Sequence, residues 1–327
     1  MELFRTVNVD WLGKKWYFLG FSLIFSIAGI CSMGWHWTHP EGGLRSPVPL
    51  GVDFRGGTEV QVQFAQRPDL DAIRQAINAA GIRDARIQTF NDPALNEVLI
   101  SLPEQHNENA LDAGRQQIVD TLRAHYNNHF ENSGVKVDVV GPTVGKQLET
   151  KAAMATVYSL AGMLIYLWFR FQLIYGVAAV VACFHDTLIT VGFFALTNQE
   201  ISLTVIAAIL TLIGYSMNDT IVVFDRIREN LRISRRESLP DVVNRSINQT
   251  LSRTVLTSGL TFITVLSLYV FGGQVLKGFS FALVVGILIG TYSSIAVAAP
   301  MLVAWQQWRA EKGSTAAVLP AAKRSKA

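Results

Sequence analysis

The sequence predicts a polytopic α-helical membrane protein of six transmembrane helices, with a periplasmic α+β ferredoxin-like (βαββαβ) domain between helices 1 and 2. Three observations carry this. Of the 327 residues, 50% are hydrophobic and only 16% are charged, against about 25% charged in a typical soluble domain. The deficit is concentrated in 151–224 and 252–308, whereas 41–150 has an ordinary soluble composition. Within 41–150 the hydrophobic period also switches between strand-like and helix-like runs.

A bilayer core about 30 Å thick needs about 20 apolar residues of helix. Six windows meet this: 17–37, 153–169, 172–197, 201–224, 254–272 and 278–305. Lys151 and Arg170 bracket the short second window, and tilt accommodates the long sixth. The first follows Arg5, Lys14 and Lys15, as a signal peptide would. It ends in Gly34, Trp35, His36 and Trp37, with no small-residue cleavage site. Trp16, Trp35 and Trp37 sit where interfacial aromatics belong, so the helix reads as retained.

Orientation follows the Lys/Arg count of the short connections. Bases cluster at the N-terminus, in the connection after the fourth span (Arg226, Arg228, Arg232, Arg235, Arg236, Arg245) and in the tail (Arg309, Lys312, Lys323, Arg324, Lys326). The opposite connections hold only Lys277. Both termini of this multi-pass protein are therefore expected in the cytoplasm and 41–150 outside, which for a bacterial inner membrane would be the periplasm. The layout is a cytoplasmic N-terminus (1–16), helix 1 (17–37), a periplasmic domain (38–150), a five-helix remainder (151–308) with a cytoplasmic loop (225–252), and a cytoplasmic tail (309–327). Val242, Val243, Ile247 and Leu251 stripe that loop, which suits an amphipathic segment at the membrane surface.

In the outer domain, Val60, Val62 and Phe64 alternate with polar residues as a half-buried strand. Asp69 caps a helix to about Ala80, which Gly81 ends. Strands follow at Arg86–Phe90 and Glu97–Leu102, then a helix over about Glu108–Phe130 and a strand at Val135–Val140. The order is that of the ferredoxin-like fold.

Several function classes drop out. A net charge of +3 without a basic aromatic stripe argues against nucleic acid. Gly141 to Lys146 and Gly51 to Thr58 approach a phosphate-binding loop, but the first has three residues between its glycines and the second has Gly57 in place of the lysine. ATP hydrolysis is not expected, nor a cofactor. His125 and His129 share a helical face but lack a third ligand, so no metal site is expected. Cys31 and Cys183 lie in apolar segments and read as membrane residues.

The chemistry lies in the spans. Asp219 stands inside the fourth, where a charge costs about 2.5–3.5 kcal/mol at the helix centre and marks an ion or proton path by default. Thr211, Tyr215 and Asp219 recur every four residues, flanked by Gly214 and Asn218. In the fifth span, Arg253 is followed by Thr257, Thr261, Thr264 and Ser267 at helical spacing, which would let Arg253 face Asp219 across the bundle. His185 and Asp186 lie about 20 Å into the third at 1.5 Å per residue. A structural ion pair is the bland account of Asp219 and Arg253, and a helix-bridging hydrogen bond that of His185. In the sixth span Gly278, Ala282, Gly286, Gly290 and Ser294 form a small-residue track that predicts a close helix neighbour.

Four stretches together resemble the SecD/SecF family of bacterial protein-export membrane proteins, in the resistance-nodulation-division superfamily. They are Gly51-Val-Asp-Phe-Arg-Gly-Gly-Thr58, Gly141-Pro-Thr-Val-Gly145, Phe184-His-Asp186, and Gly214-Tyr-Ser-Met-Asn-Asp-Thr220 running into Phe224-Asp-Arg-Ile-Arg-Glu-Asn230. The resemblance implies a proton-driven accessory of the Sec pathway that helps draw preproteins across the membrane. It also implies a SecD partner supplying a second six-helix half, and association with YajC, the SecYEG translocon and YidC. It assigns proton coupling to Asp219 and Arg253 and extends to His185 and Asp186, while the polar stripes of the fourth and fifth spans add Asn218, Tyr215 and Thr257 as candidates along the path. Gly56, Gly57, Gly141, Pro142 and Gly145 are the expected hinge glycines and turn around the outer domain. The alternatives are half of a proton-driven small-molecule exporter and a purely structural translocon subunit.

Overall fold

The computed structural model describes residues 8–39, 45–64, 66, 68–82, 85–90, 96–102, 108–125, 136–140, 142–171, 173–234 and 237–311. Among the described residues, six helical stretches are long and apolar enough to cross a membrane. They are α1 (Lys15–Thr38), α5 (Pro142–Arg170), α6 (Leu173–Leu196), α7 (Leu203–Ile233), α8 (Leu239–Phe271) and a sixth built from three pieces. Those pieces are α9 (Gly273–Ser293), a π-helical segment (Ser294–Ala298) and α10 (Ala299–Glu311). Between α1 and α5 come the single turn α2 (Val52–Arg55), then β1 (Gly57–Gln63), α3 (Leu70–Ala79), β2 (Arg86–Phe90), β3 (Glu97–Leu102), α4 (Glu108–His125) and β4 (Lys136–Val140).

The strands form one antiparallel sheet in the order β2-β3-β1-β4. This is the ferredoxin-like arrangement. Strand β1 is central, pairing from Thr58↔Leu102 to Gln63↔Glu97 on one side and from Gly57↔Val140 to Gln61↔Lys136 on the other. Val60, Val62 and Phe64 meet Ile73 and Ile77 of α3 and Ile118 and Leu122 of α4 in a core of their own. The Asp69 carboxylate accepts from the Asp71 amide, and Gly81 closes α3 at φ +83°, a backbone region that suits glycine.

Burial sorts the spans. The apolar windows of α6, α7 and the sixth span are 50%, 50% and 56% buried, against 11%, 6% and 17% for α1, α5 and α8. Thus α6, α7 and α9 form the centre, with α1 and α5 on α6 and α8 on α7 and α9. The small-residue track finds its neighbour within the chain. A Cβ on Gly278 would meet Val205 at 2.9 Å, one on Gly286 would meet Leu212 at 2.3 Å, and one on Gly290 would meet Ser216 at 3.0 Å. All three neighbours lie on α7. Helix α1 meets α6 at a pair of glycines, where a Cβ on Gly192 would stand 2.7 Å from the Gly29 Cα.

Three expectations change. The 225–252 loop is largely helix, because α7 runs to Ile233 and α8 begins at Leu239. Its apolar stripe does not meet the membrane surface. Val242, Val243 and Ile247 are fully buried in the same core as Ile227 and Leu231, and Asn230 donates to Ser246 and Gln249 at 2.9 and 2.8 Å. Here amphipathicity serves helix pairing. Second, residues 142–152 extend the second span as helix, so Pro142 and Gly145 belong to its first turns rather than to a free turn; Pro at a helix start loses no hydrogen bond. Gly141 and His129 lie outside the described residues, and His125 is exposed at the end of α4. Third, the sixth span is interrupted by the π segment.

The N-terminal segment is clasped to α8. The Asn244 carbonyl accepts from the Leu12 amide at 3.0 Å, and Asn248 pairs with the Val9 backbone and the Trp11 indole. Asp10 accepts from the Gly13 amide at 2.9 Å and the Asn244 side chain at 2.6 Å. The Gly13 amide, then Asn244, holds the Asp10 carboxyl below its ordinary range. A depressed carboxyl contributes its hydrogen bonds above its unfolded pKa and loses them as pH falls through the folded one, so the clasp persists at neutral pH.

The Gly29–Gly192 contact yields a packing prediction. Gly192→Leu should destabilise the purified protein by about 1–3 kcal/mol, the usual cost of overpacking, seen as a lower thermal midpoint in detergent. Gly34→Leu on the same α1 helix faces open space, and should stay within about 0.5 kcal/mol of the parent.

Candidate functional site

Two carboxyls are buried among the central helices. Asp186 on α6 is 1% exposed and Asp219 on α7 is 2% exposed. Hydrocarbon supplies no water to hydrogen-bond them, so partners must come from the protein.

Asp186 gathers partners from three helices. Its Oδ2 accepts from Ser216 Oγ of α7 at 2.6 Å and from Ser293 Oγ of α9 at 2.7 Å. Its Oδ1 lies 3.0 Å from Nδ1 of His185 beside it. The other ring nitrogen, Nε2, hydrogen-bonds Ser22 of α1. If Nδ1–H faces the carboxylate, a neutral ring presents Nε2 as acceptor to the Ser22 hydroxyl. A polar chain therefore runs from α1 through α6 to α7 and α9. The π segment begins directly after Ser293, and such insertions are frequent at functional sites.

Asp219 lies on α7 itself, three residues beyond Ser216. Its Oδ2 accepts from Ser258 Oγ of α8 at 2.7 Å. The expected direct contact with Arg253 is not formed. Arg253 is exposed, and Asp219 takes its hydrogen bond from Ser258 instead. The reason is which stripe of α8 faces inward. Thr250, Thr254, Ser258 and Val265 are buried against the bundle, so the stripe of Arg253, Thr257, Thr261 and Thr264 points outward. Thr257, Thr261, Thr264 and Ser267 each return their hydroxyl to the carbonyl four residues earlier at 2.9–3.0 Å.

The remaining candidates divide. Tyr215 is half-buried and its hydroxyl has no partner. Asn218, Thr211 and Thr257 are exposed. The structure brings together His185 and Asp186, but places Asp219 in a separate contact with Ser258. Four serines escaped the sequence reading: Ser22, Ser216, Ser258 and Ser293. Ser216 was legible as the residue three before Asp219 on the same helix. Ser293 was hidden beside Ser294, which belonged to the small-residue track. A cavity of about 360 Å³, lined by Trp11, Phe262, Ile287, Leu288, Tyr292 and other residues, reaches Ser258 from the α9 side.

The soluble domain is attached close to this bundle. Gly56 has φ +73° between α2 and β1, a value glycine adopts without strain. A Cβ on Gly145 of α5 would lie 2.7 Å from the Phe54 carbonyl, so this glycine permits close packing of α5 on α2.

Comparison with known proteins agrees with this architecture. Residues 119–308 match the family described as Protein export membrane protein SecD/SecF, C-terminal, and residues 45–66 match the SecD/SecF GG motif. The chain is 53% identical to a protein translocase subunit SecF of Koribacter versatilis, covering 99% of this chain and 98% of that one. It is 44% identical to the one from Calditerrivibrio nitroreducens, over 90% of this chain and 93% of that one. Its fold resembles the crystal structure of SecDF, a translocon-associated membrane protein from Thermus thermophilus, with TM-score 0.78 and 33% identity over 92% of this chain. The match spans 39% of that longer polypeptide.

The Asp186 contacts carry a test. Ser216→Ala or Ser293→Ala alone leaves Oδ2 one donor and should cost little. Together they leave a buried oxygen without one, for a loss of about 1.5–3 kcal/mol and a non-additive double-mutant cycle in thermal unfolding. Strict additivity would mean that the two hydroxyls do not share this oxygen.

Proposed function

The chain belongs to the SecD/SecF family of protein-export membrane proteins, and on that premise we propose that it is an accessory subunit of the bacterial Sec machinery that couples the proton-motive force to preprotein movement. A SecD subunit would supply the second six-helix half, and YajC, the SecYEG translocon and YidC the wider assembly. The ferredoxin-like domain then faces the periplasm and both termini face the cytoplasm of an inner-membrane protein. No ATP hydrolysis enters this reading.

The observation that carries it is Asp219, a carboxyl buried in a membrane helix with a single hydroxyl donor and a cation close by but unbound. Carboxyls are buried in membranes at a cost and mark proton relays. Protonation removes the charge and the attraction to Arg253. Deprotonation restores it and favours an approach of the outward α8 stripe to α7. His185, Asp186, Tyr215, Asn218 and Thr257 are proposed to line the route, and Gly56, Gly57, Gly141, Pro142 and Gly145 to flank the moving domain. One charge crossing 100 mV supplies about 2.3 kcal/mol. Inverting a two-state equilibrium from 1:99 to 99:1 needs about 5.5 kcal/mol, so a full stroke takes more than one proton or a pH gradient. The outward polar stripe also favours a protein neighbour over lipid on that side. An exporter half would need a large substrate tunnel, and the single four-stranded domain is small for one.

The test is reconstitution with the partner subunit. Asp219→Asn should reduce proton flux and proton-driven export at least tenfold while leaving the thermal midpoint close to wild type. Arg253→Gln should lower both in the same direction. Full activity in Asp219→Asn would leave only a structural role for this subunit.

A further inference from the structure

The GG-motif segment before β1 is fastened to the membrane helix that carries Asp219. Leu50 and Ile201 form a parallel β-bridge. The Gly51 amide donates to the Ile201 carbonyl at 2.9 Å, and the Ile201 amide donates to the Pro49 carbonyl at 2.8 Å. The Asp53 Oδ2 then accepts from the Leu203 amide, the first residue of α7, at 2.8 Å. That amide is one of four that a helix N-terminus leaves without an internal partner, and a carboxylate there also complements the helix dipole. Ser202 caps the same end through the Val205 amide.

The segment belongs to the bundle by packing as well. Phe54 is 6% exposed and lies in the transmembrane core, not in the core of the soluble domain. Gly145 lets α5 press on the same turn. Only beyond Phe54 and Arg55 does the chain reach Gly56, at φ +73°, and enter β1, the central strand. Helix α7 runs without proline or interruption from Leu203 to Ile233.

We propose that the Leu50–Asp53 segment, held by Asp53 to the N-terminus of α7, is the joint that carries movement of α7 into the central strand of the soluble domain. Asp53 is a positioning residue in this scheme. The proposal rests on the proton-coupled reading above and extends it, because it names where the membrane event becomes a domain movement. Displacement of α7 drags α2 with it, and Gly56 converts that shift into rotation of β1.

The experiment uses the chain with its partner subunit in proteoliposomes, reading Asp219-dependent proton flux and preprotein export in parallel. Asp53→Ala should keep flux within twofold of wild type and lose at least fivefold in export. Asp53→Asn retains a carbonyl acceptor for the Leu203 amide and should keep at least half of the export. A merely structural cap would lower both readouts together with protein yield. A disulfide between Leu50→Cys and Ile201→Cys, in a Cys31→Ser background, should leave export unchanged, because the joint moves as a unit. The proposal is overturned if Asp53→Ala exports normally, if it loses flux in proportion to export, or if the disulfide blocks export reversibly. Absence of Asp219-dependent flux in the wild type instead removes the underlying reading, and with it anything for the joint to transmit. That outcome appears in the Asp219→Asn control before any Asp53 variant is compared.

Discussion

Asp186 is the point on which the arrangement of the central helices depends. A carboxyl between membrane helices has no solvent to fall back on, and its donors must come from neighbouring side chains. Two hydroxyls from α7 and α9 reach the same oxygen, which fixes the rotation of both helices against α6. Serine side chains are short, so those helices must also come close. The glycines of α9 opposite Leu212 and Ser216 allow that approach. Polar satisfaction and steric fit are therefore one constraint, met by the same few residues. The chain continues outward, since His185 hands the connection to Ser22 of α1, at a helix that also meets α6 through the glycine pair.

The two buried acids stand in different conditions. Asp186 is held from several sides, an environment that resists change. Asp219 has one hydroxyl and a cation that does not touch it. Both contact α7, through Ser216 and directly, within one turn of the helix. A change at the loosely held acid is thus imposed on a helix anchored by the tightly held one. Helix α7 is continuous, whereas its neighbour is broken by a π segment just after Ser293. A rigid rod beside an interrupted helix favours movement of the rod as a whole, with the interruption taking up the misfit.

The spans, the strand order and the helix caps of the soluble domain were legible because each rests on local pattern. Twenty apolar residues, an alternating strand and an Asp before a helix carry their meaning in sequence. Rotation about a helix axis does not. Thr257 and Ser258 are adjacent, and sequence alone favoured the stripe that included Arg253; packing turned the neighbouring stripe inward. For the same reason Val242, Val243 and Ile247 showed an apolar face but not what covers it. Their partner is α7, folded back at a short connection. The π segment at Ser294–Ala298 also left no clear local signal.

Arg253 is where this six-helix unit looks unfinished. The hydroxyls along its stripe close on their own helix backbone and cost little in lipid. A guanidinium has five donors and no way to close on itself, and burying it in hydrocarbon without a partner is expensive. Ser258, which holds Asp219, lies about 7.5 Å along α8 from Arg253 at 1.5 Å per residue. The structure joins Asp219 to Ser258 rather than to Arg253. Contact requires either a rotation of α8 toward α7 or a second protein surface that covers the stripe. In the proposed assembly these are linked, because a partner helix lying on Arg253 and Thr257 sets the rotation α8 adopts. The charge state of Asp219 then becomes a property of the interface as much as of this chain.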